Sequence, residues 1–220
     1  MNNERHAEDA PAFEMLRYPA ADITAAEFEE YVVETLRSVH KELDNVEVTL
    51  HDVLQGVDGS YDMDGTMTFE SGGMKFRVLV EAKRHSHPIK RDIVQILHQK
   101  ILSTGSHKGV IFSTAPFQRG ALDYAKIHSI ALVVVTEGRY TYVTRSITKP
   151  PPLTRELARA MGFPEFTGHI YTANPETGAT NVSIASQEYP SYLTKILVSG
   201  TQSASAGQLR STLEEPQTDG

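Results

Sequence analysis

Val78-Leu79-Val80 is an unbroken aliphatic run that ends in Glu81-Ala82-Lys83, a carboxylate and an ammonium two residues apart. A short apolar run with this composition specifies a buried strand. Strand side chains alternate, so Leu79, Glu81 and Lys83 share one face while Val78, Val80 and Ala82 share the other. Isolated charges at the end of a buried strand are costly. The stretch from Gly59 to His107 is therefore expected to organise the chain.

Upstream, the first helix is well signalled. Thr24 and Glu27 form a capping box, and Ile23 with Phe28 forms a hydrophobic staple around it. Phe28, Val32, Leu36, Val39 and Leu43 keep helical spacing as its buried stripe, with Glu29 at the margin beside Val33 and Leu36. Val46 to Leu50, Tyr61 to Glu70 and Met74 to Lys83 read as three strands. They are joined by turns at Asp58-Gly59-Ser60 and Ser71-Gly72-Gly73, which predicts an antiparallel meander. Pro88 opens a second helix, with Ile89, Ile93, Ile96, Leu97 and Ile101 as its buried stripe and Gly105 at its end. Arg91, Gln95 and Gln99 fall along one flank.

Lys108 to Ser113, Phe117 to His128 and Ile130 to Thr136 then read strand, helix, strand, which implies a parallel crossover. Arg139 to Arg145 is expected as a short edge strand. Lys149-Pro150-Pro151-Pro152 is a stiff linker. Beyond it, Thr154 to Met161 reads as a short helix, followed by strands at Phe166 to Thr172 and Thr180 to Ser186. This segment either packs on the core or forms an interface with another subunit. The expected division is an N-terminal arm over 1–20, a main domain over 21–148, a C-terminal extension over 149–198 and a disordered tail over 199–220.

Composition narrows the function classes. The chain has no cysteine, which excludes a disulfide framework and thiolate metal sites and points to a reducing cytoplasmic compartment. No apolar run reaches membrane-spanning length, and Met1 to Arg5 lacks a signal-peptide core. The net charge is −7, yet Lys83, Arg84, Lys90, Arg91, Lys100 and Lys108 stand against only Glu81 and Asp92 between Glu81 and Lys108. Such a local basic patch suits phosphate contacts, although it also suits a plain solvated helix face.

A carboxylate and an ammonium side by side suit phosphodiester chemistry. The first can bind a divalent cation, and the second can neutralise charge that develops on phosphorus. Asp62 and Asp64 are both candidates for a second carboxylate, and strand parity does not choose between them.

The ordered series Gly59-Ser60-Tyr61-Asp62-Met63-Asp64, Val80-Glu81-Ala82-Lys83, Ile93-Val94-Gln95, Lys108 to Thr114, and Phe117-Gln118 with Gly120-Ala121 resembles the Mrr-like branch of the PD-(D/E)XK nuclease superfamily. The likeness covers roughly residues 24 to 137. Met63 stands where the motif's name places proline. The resemblance implies an α/β fold with a restriction-endonuclease-like core, a central mixed five-stranded sheet flanked by helices. It implies Mg2+ (or Mn2+) dependence, with Asp64, Glu81 and the Ala82 backbone carbonyl as metal ligands. Lys83 would activate water or stabilise the transition state. Gln95 and Glu29 match further polar positions of the site. Arg84, Lys90, Arg91 and Lys100 are the expected nucleic-acid contacts.

The implied substrate is double-stranded DNA, with a homodimer suited to cutting both strands, and with restriction or antiviral defence, alongside a defence-system partner protein, as the setting. The rival reading is a non-catalytic member of the fold that binds nucleic acid or a partner. Two sparser patterns compete poorly: His85-Ser86-His87 with His98 lacks further zinc ligands, and no glycine pattern builds a phosphate loop.

Overall fold

The structure is a computed structural model that describes residues 21–140, 153–173 and 180–199. The expected arm over 1–20, the proline linker at 149–152 and the tail beyond residue 199 lie outside the described residues. Helix α1 (Ala25–Arg37) starts at the expected capping box: Thr24 accepts from the Glu27 amide and Glu27 reaches back to the Thr24 amide. A short 3-10 turn (Ser38–Lys41) follows it.

Seven strands form one sheet in sequence order: β1 (Asp44–Gln55), β2 (Ser60–Ser71), β3 (Met74–Lys83), β4 (Lys108–Ser113), β5 (Ala131–Glu137), β6 (Phe166–Ala173) and β7 (Thr180–Ala185). β1 to β3 are the antiparallel meander, β3 to β5 are parallel, and β5 to β7 are antiparallel. The mixed sheet is as expected, but it has seven strands rather than five. The reason lies at β5, which is buried along its whole length. Its outer edge would leave backbone groups unpaired, and β6 and β7 cover it. Arg139 and Tyr140 are helical, so the expected edge strand does not begin there; residues 141–145 lie outside the described ones.

Alternating side chains of β3, β4 and β5 feed two cores. Val78, Val80, Val110, Phe112, Val133 and Val135 pack beneath α1 and a helix over residues 191–199, here α5, whose Leu193 and Leu197 are fully buried. Leu79, Ile111, Leu132 and Val134 pack beneath α2 (Arg91–Thr104) and α3 (Arg119–Ile127). A short helix α4 (Arg155–Ala160) is capped by Thr154. No helix among the described residues is long and apolar enough to cross a membrane.

Helix α2 starts later than Pro88 predicts. Ile89 instead bridges Phe117: its amide donates to Pro116 O, and Gln118 donates to Ile89 O. The same bridge delays α3 to Arg119. Starting at Arg91, α2 buries Val94, Leu97 and Ile101 and leaves Ile96, expected in the stripe, 54% exposed.

Candidate active site

β2 and β3 pair from Ser71↔Met74 as far as Gly65↔Val80, and one step further the ladder gives way to side chains. Asp64 Oδ2 accepts the Ala82 amide at 2.8 Å, so a carboxylate replaces the next ladder bond. Gly65 allows the close approach there: a Cβ would stand 3.1 Å from Thr49 O. Asp64 borders a cavity on the α1 side, whereas Glu81 shares the α2 side with Leu79.

The two carboxylates converge on one ammonium. Lys83 Nζ lies 3.4 Å from Asp64 Oδ2 and forms a short ion pair with Glu81 Oε1. Lys100 of α2 approaches the other Glu81 oxygen at 3.4 Å and donates to Asp62 O at 3.2 Å. Glu81 is 8% exposed, and two cations offset the burial of its charge. Burial alone would lower the Lys83 pKa, but the hydrogen bond and charge of Glu81, then of Asp64, outweigh it and raise the value. Lys83 is therefore a cation at neutral pH, able to donate but not to accept a proton.

The donor set suits a small hard cation. Mg2+ is commonly held by one or two carboxylates and keeps several of its waters. Asp64 and Glu81 supply that number, and the Asp64 side chain is 40% exposed. Among the described residues no three His, Asp or Glu side chains form a ligating group, as a closed zinc site would need. His98 instead bonds Tyr124 OH at 2.8 Å and lies against His128.

On the α1 side, Ala25, Phe28, Glu29, Val32, Leu50, His51, Asp64, Val80, Ala82 and Arg84 enclose a cavity of ≈ 100 Å³. Glu29 thus shares a cavity with Asp64, and its Oε2 lies 4.0 Å from His51 Nε2. Arg84 is anchored by Nε donating to Ile23 O at 2.8 Å. Lys90 and Arg91 are exposed at the start of α2, with the Arg91 guanidinium 5.0 Å above the Tyr124 ring. Gln95 is exposed on α2, and no hydrogen bond joins it to Asp64, Glu81 or Lys83. Lys100, expected among open-surface contacts, is drawn into the carboxylate cluster instead. Its spacing of three and seven residues from Leu97 and Ile93 was the available signal, since it sets Lys100 at the margin of the buried stripe. His51 carried no such signal.

A mixed sheet with helices on both faces, and an acidic pair with a lysine where β2 and β3 part, define a restriction-endonuclease-like α/β domain. Residues 20–137 match the Mrr catalytic-domain family, described as restriction endonuclease, and the chain belongs to that family. No curated protein matches the chain. Among solved structures, that of the protein of unknown function AF1548 is similar at 23% identity over 48% of this chain, with a TM-score of 0.38. The likeness covers 55% of AF1548, so this chain spans about half of its length.

Proposed function

We propose that the chain is a Mg2+-dependent endonuclease that hydrolyses DNA phosphodiester bonds. The observation that carries this reading is the convergence of Asp64 and Glu81 on Lys83 at the point where β2 and β3 separate. Asp64, Glu81 and the Ala82 carbonyl would hold the cation, with Mn2+ as a substitute. When bound, a divalent cation lowers the pKa of its water and polarises a phosphoryl oxygen. Lys83, charged and held by both carboxylates, would donate to the phosphate oxygens as negative charge builds on them. Glu81 keeps that ammonium in place, and Lys100 holds Glu81 from the α2 side. Exposed Lys90 and Arg91, with Arg84 beside the cavity, would contact the backbone of a duplex and position it without reading its sequence. Two copies acting together would cut both strands, and restriction or antiviral defence with a partner protein is the setting we favour.

The test is plasmid nicking with Mg2+ and with a chelator. Wild type should nick only with Mg2+, and Glu81→Ala and Lys83→Ala should be inactive while melting cooperatively. Cleavage that survives in both variants would remove this mechanism. A wild-type chain that binds DNA but never nicks it would favour a binding module.

A further inference from the structure

Among the described residues, three that are not glycine have a left-handed backbone: Asn45 (φ 51°), His51 (φ 49°) and Ser129 (φ 54°). Asn45 sits where the β1–β2 register shifts, and Ser129 ends the turn after α3, so each marks an end or an irregularity. His51 is different. It lies in mid-strand, between the pairs Leu50↔Gly65 and Asp52↔Met63, where the register does not shift although His51 itself is unpaired. Within a strand such a conformation is costly for any residue with a Cβ, and glycine would adopt it freely.

The register also places this residue. Between those two pairs His51 stands opposite Asp64, and Asp64 stands one step beyond Gly65↔Val80, opposite Glu81. One row thus crosses three strands as His51, Asp64, Glu81. The left-handed residue breaks the pleat in that row, and His51 lines the same cavity as Asp64, Glu29 and Arg84. Backbone strain retained beside a reactive cluster is a mark of a side chain that is used.

We propose that His51 is a substrate-contacting residue of this site, its imidazole donating a hydrogen bond to a DNA phosphate next to the scissile one. This rests on the nuclease reading for the word scissile, and on geometry for the rest. The cavity lining combines apolar Phe28, Val32, Leu50 and Val80, which suit the face of a deoxyribose, with His51 and Arg84, both able to donate to phosphate. Glu29, with Oε2 4.0 Å from Nε2, places a carboxylate beside the ring. His51 is 72% exposed along its side chain, so a bound strand can reach it.

His51→Gly and His51→Asn both accept left-handed backbone, which separates the imidazole from the fold. Each should melt at or above the wild-type temperature. Each should nick supercoiled plasmid about tenfold or more slowly with Mg2+, the loss expected for one charge-assisted phosphate contact. Each should also bind a short fluorescein-labelled duplex more weakly by anisotropy, with Ca2+ in place of Mg2+. Wild-type nicking rates and affinities in both variants would overturn the proposal, as would losses that follow a lowered melting temperature in both. A wild-type chain that binds the duplex without nicking sinks the nuclease reading alone, and the affinity of the two variants still decides His51. A wild-type chain that does not bind the duplex overturns both.

Discussion

Glu81 and Glu137 both lie at the C-terminal ends of parallel strands, and both are buried with cationic partners. Their surroundings differ in kind. Glu137 is 3% exposed, and one oxygen, Oε2, accepts from Arg155 Nε at 3.0 Å and lies 2.7 Å from Arg139 Nε in an ion pair. Arg155 also donates to Asp22 O at 2.6 Å, so the group ties the entry to α1 to the start of α4. Glu81 is held by two lysines, and its neighbour Asp64 opens onto a cavity. Guanidinium groups are planar and fix a geometry, whereas ammonium groups are mobile point charges on flexible stems. The first cluster is built to stay closed. The second keeps acidic oxygens beside open space, with cations that can give way to a ligand.

The comparison breaks most sharply when each carboxylate is removed. Glu81→Ala should lower nicking on the order of 10²–10³-fold or more, far beyond what any accompanying drop in the urea midpoint explains. Glu137→Ala should do the reverse. Removing the buried carboxylate from two partly exposed guanidiniums should lower the urea midpoint, by an amount softened by solvent screening, with normal nicking per folded molecule. Acid sharpens this: burial pushes the Glu137 pKa up, but the hydrogen bond of Arg155 and the charges of Arg139 and Arg155 outweigh it and hold it below the usual glutamate value. Its contribution to stability is therefore complete above the unfolded value and lost as pH falls below it. Equal losses of nicking per folded molecule in the two variants would erase the distinction.

A smaller effect tests whether the lysines are displaceable. Lys100 stands 3.4 Å from a Glu81 oxygen, where its charge opposes a second cation on the same group. Lys100→Met should therefore lower the Mg2+ concentration giving half-maximal nicking by about threefold to tenfold, an electrostatic change softened by solvent screening. A Mg2+ titration of wild type and variant reads it directly. A rise in the half-maximal concentration would mean that Lys100 orients Glu81 for the metal rather than competing with it.

How much of this was legible depended on range. The α1 capping box and the strand ending in Glu81 and Lys83 are local patterns, and both appear where the residues specify them. The β5–β6 pairing joins residues about thirty positions apart across the proline segment, and strand propensity alone carries no pairing information. Ile96 was misplaced because Pro88 looked like a helix start, while the Ile89–Phe117 bridge moved the start to Arg91 and rotated the buried face. Helix α5 had a usable signal in Leu193 and Leu197 at four-residue spacing, overshadowed by the Ser-rich stretch after it. In the site, the Glu-x-Lys pair was readable from strand parity, but the choice of Asp64 over Asp62 came from the resemblance. The backbone at His51 was not readable, because no side-chain pattern announces a left-handed residue within a strand.

Lys108 supplies the finest version of the contrast, because it is more deeply buried than Lys83 and, among the described residues, forms no ion pair with a carboxylate. It is 5% exposed at the start of β4, and its Nζ donates to Ile196 O of α5 at 2.5 Å. Burial lowers its pKa from 10.5 to about 8, whereas the pKa of Lys83, with two carboxylates, is raised. Between about 8 and 10.5 the unfolded chain holds a proton at this position that the folded chain has released, so folding gains as pH rises through that window. Below it both states are charged, and the full penalty of burial is present. Lys108→Met should thus raise the melting temperature near neutral pH by a few degrees. That gain should shrink steadily as pH rises through the window. A variant that melts lower at neutral pH would show that the bond to Ile196 outweighs the burial cost, and would make this lysine a clamp on α5 rather than a tolerated charge.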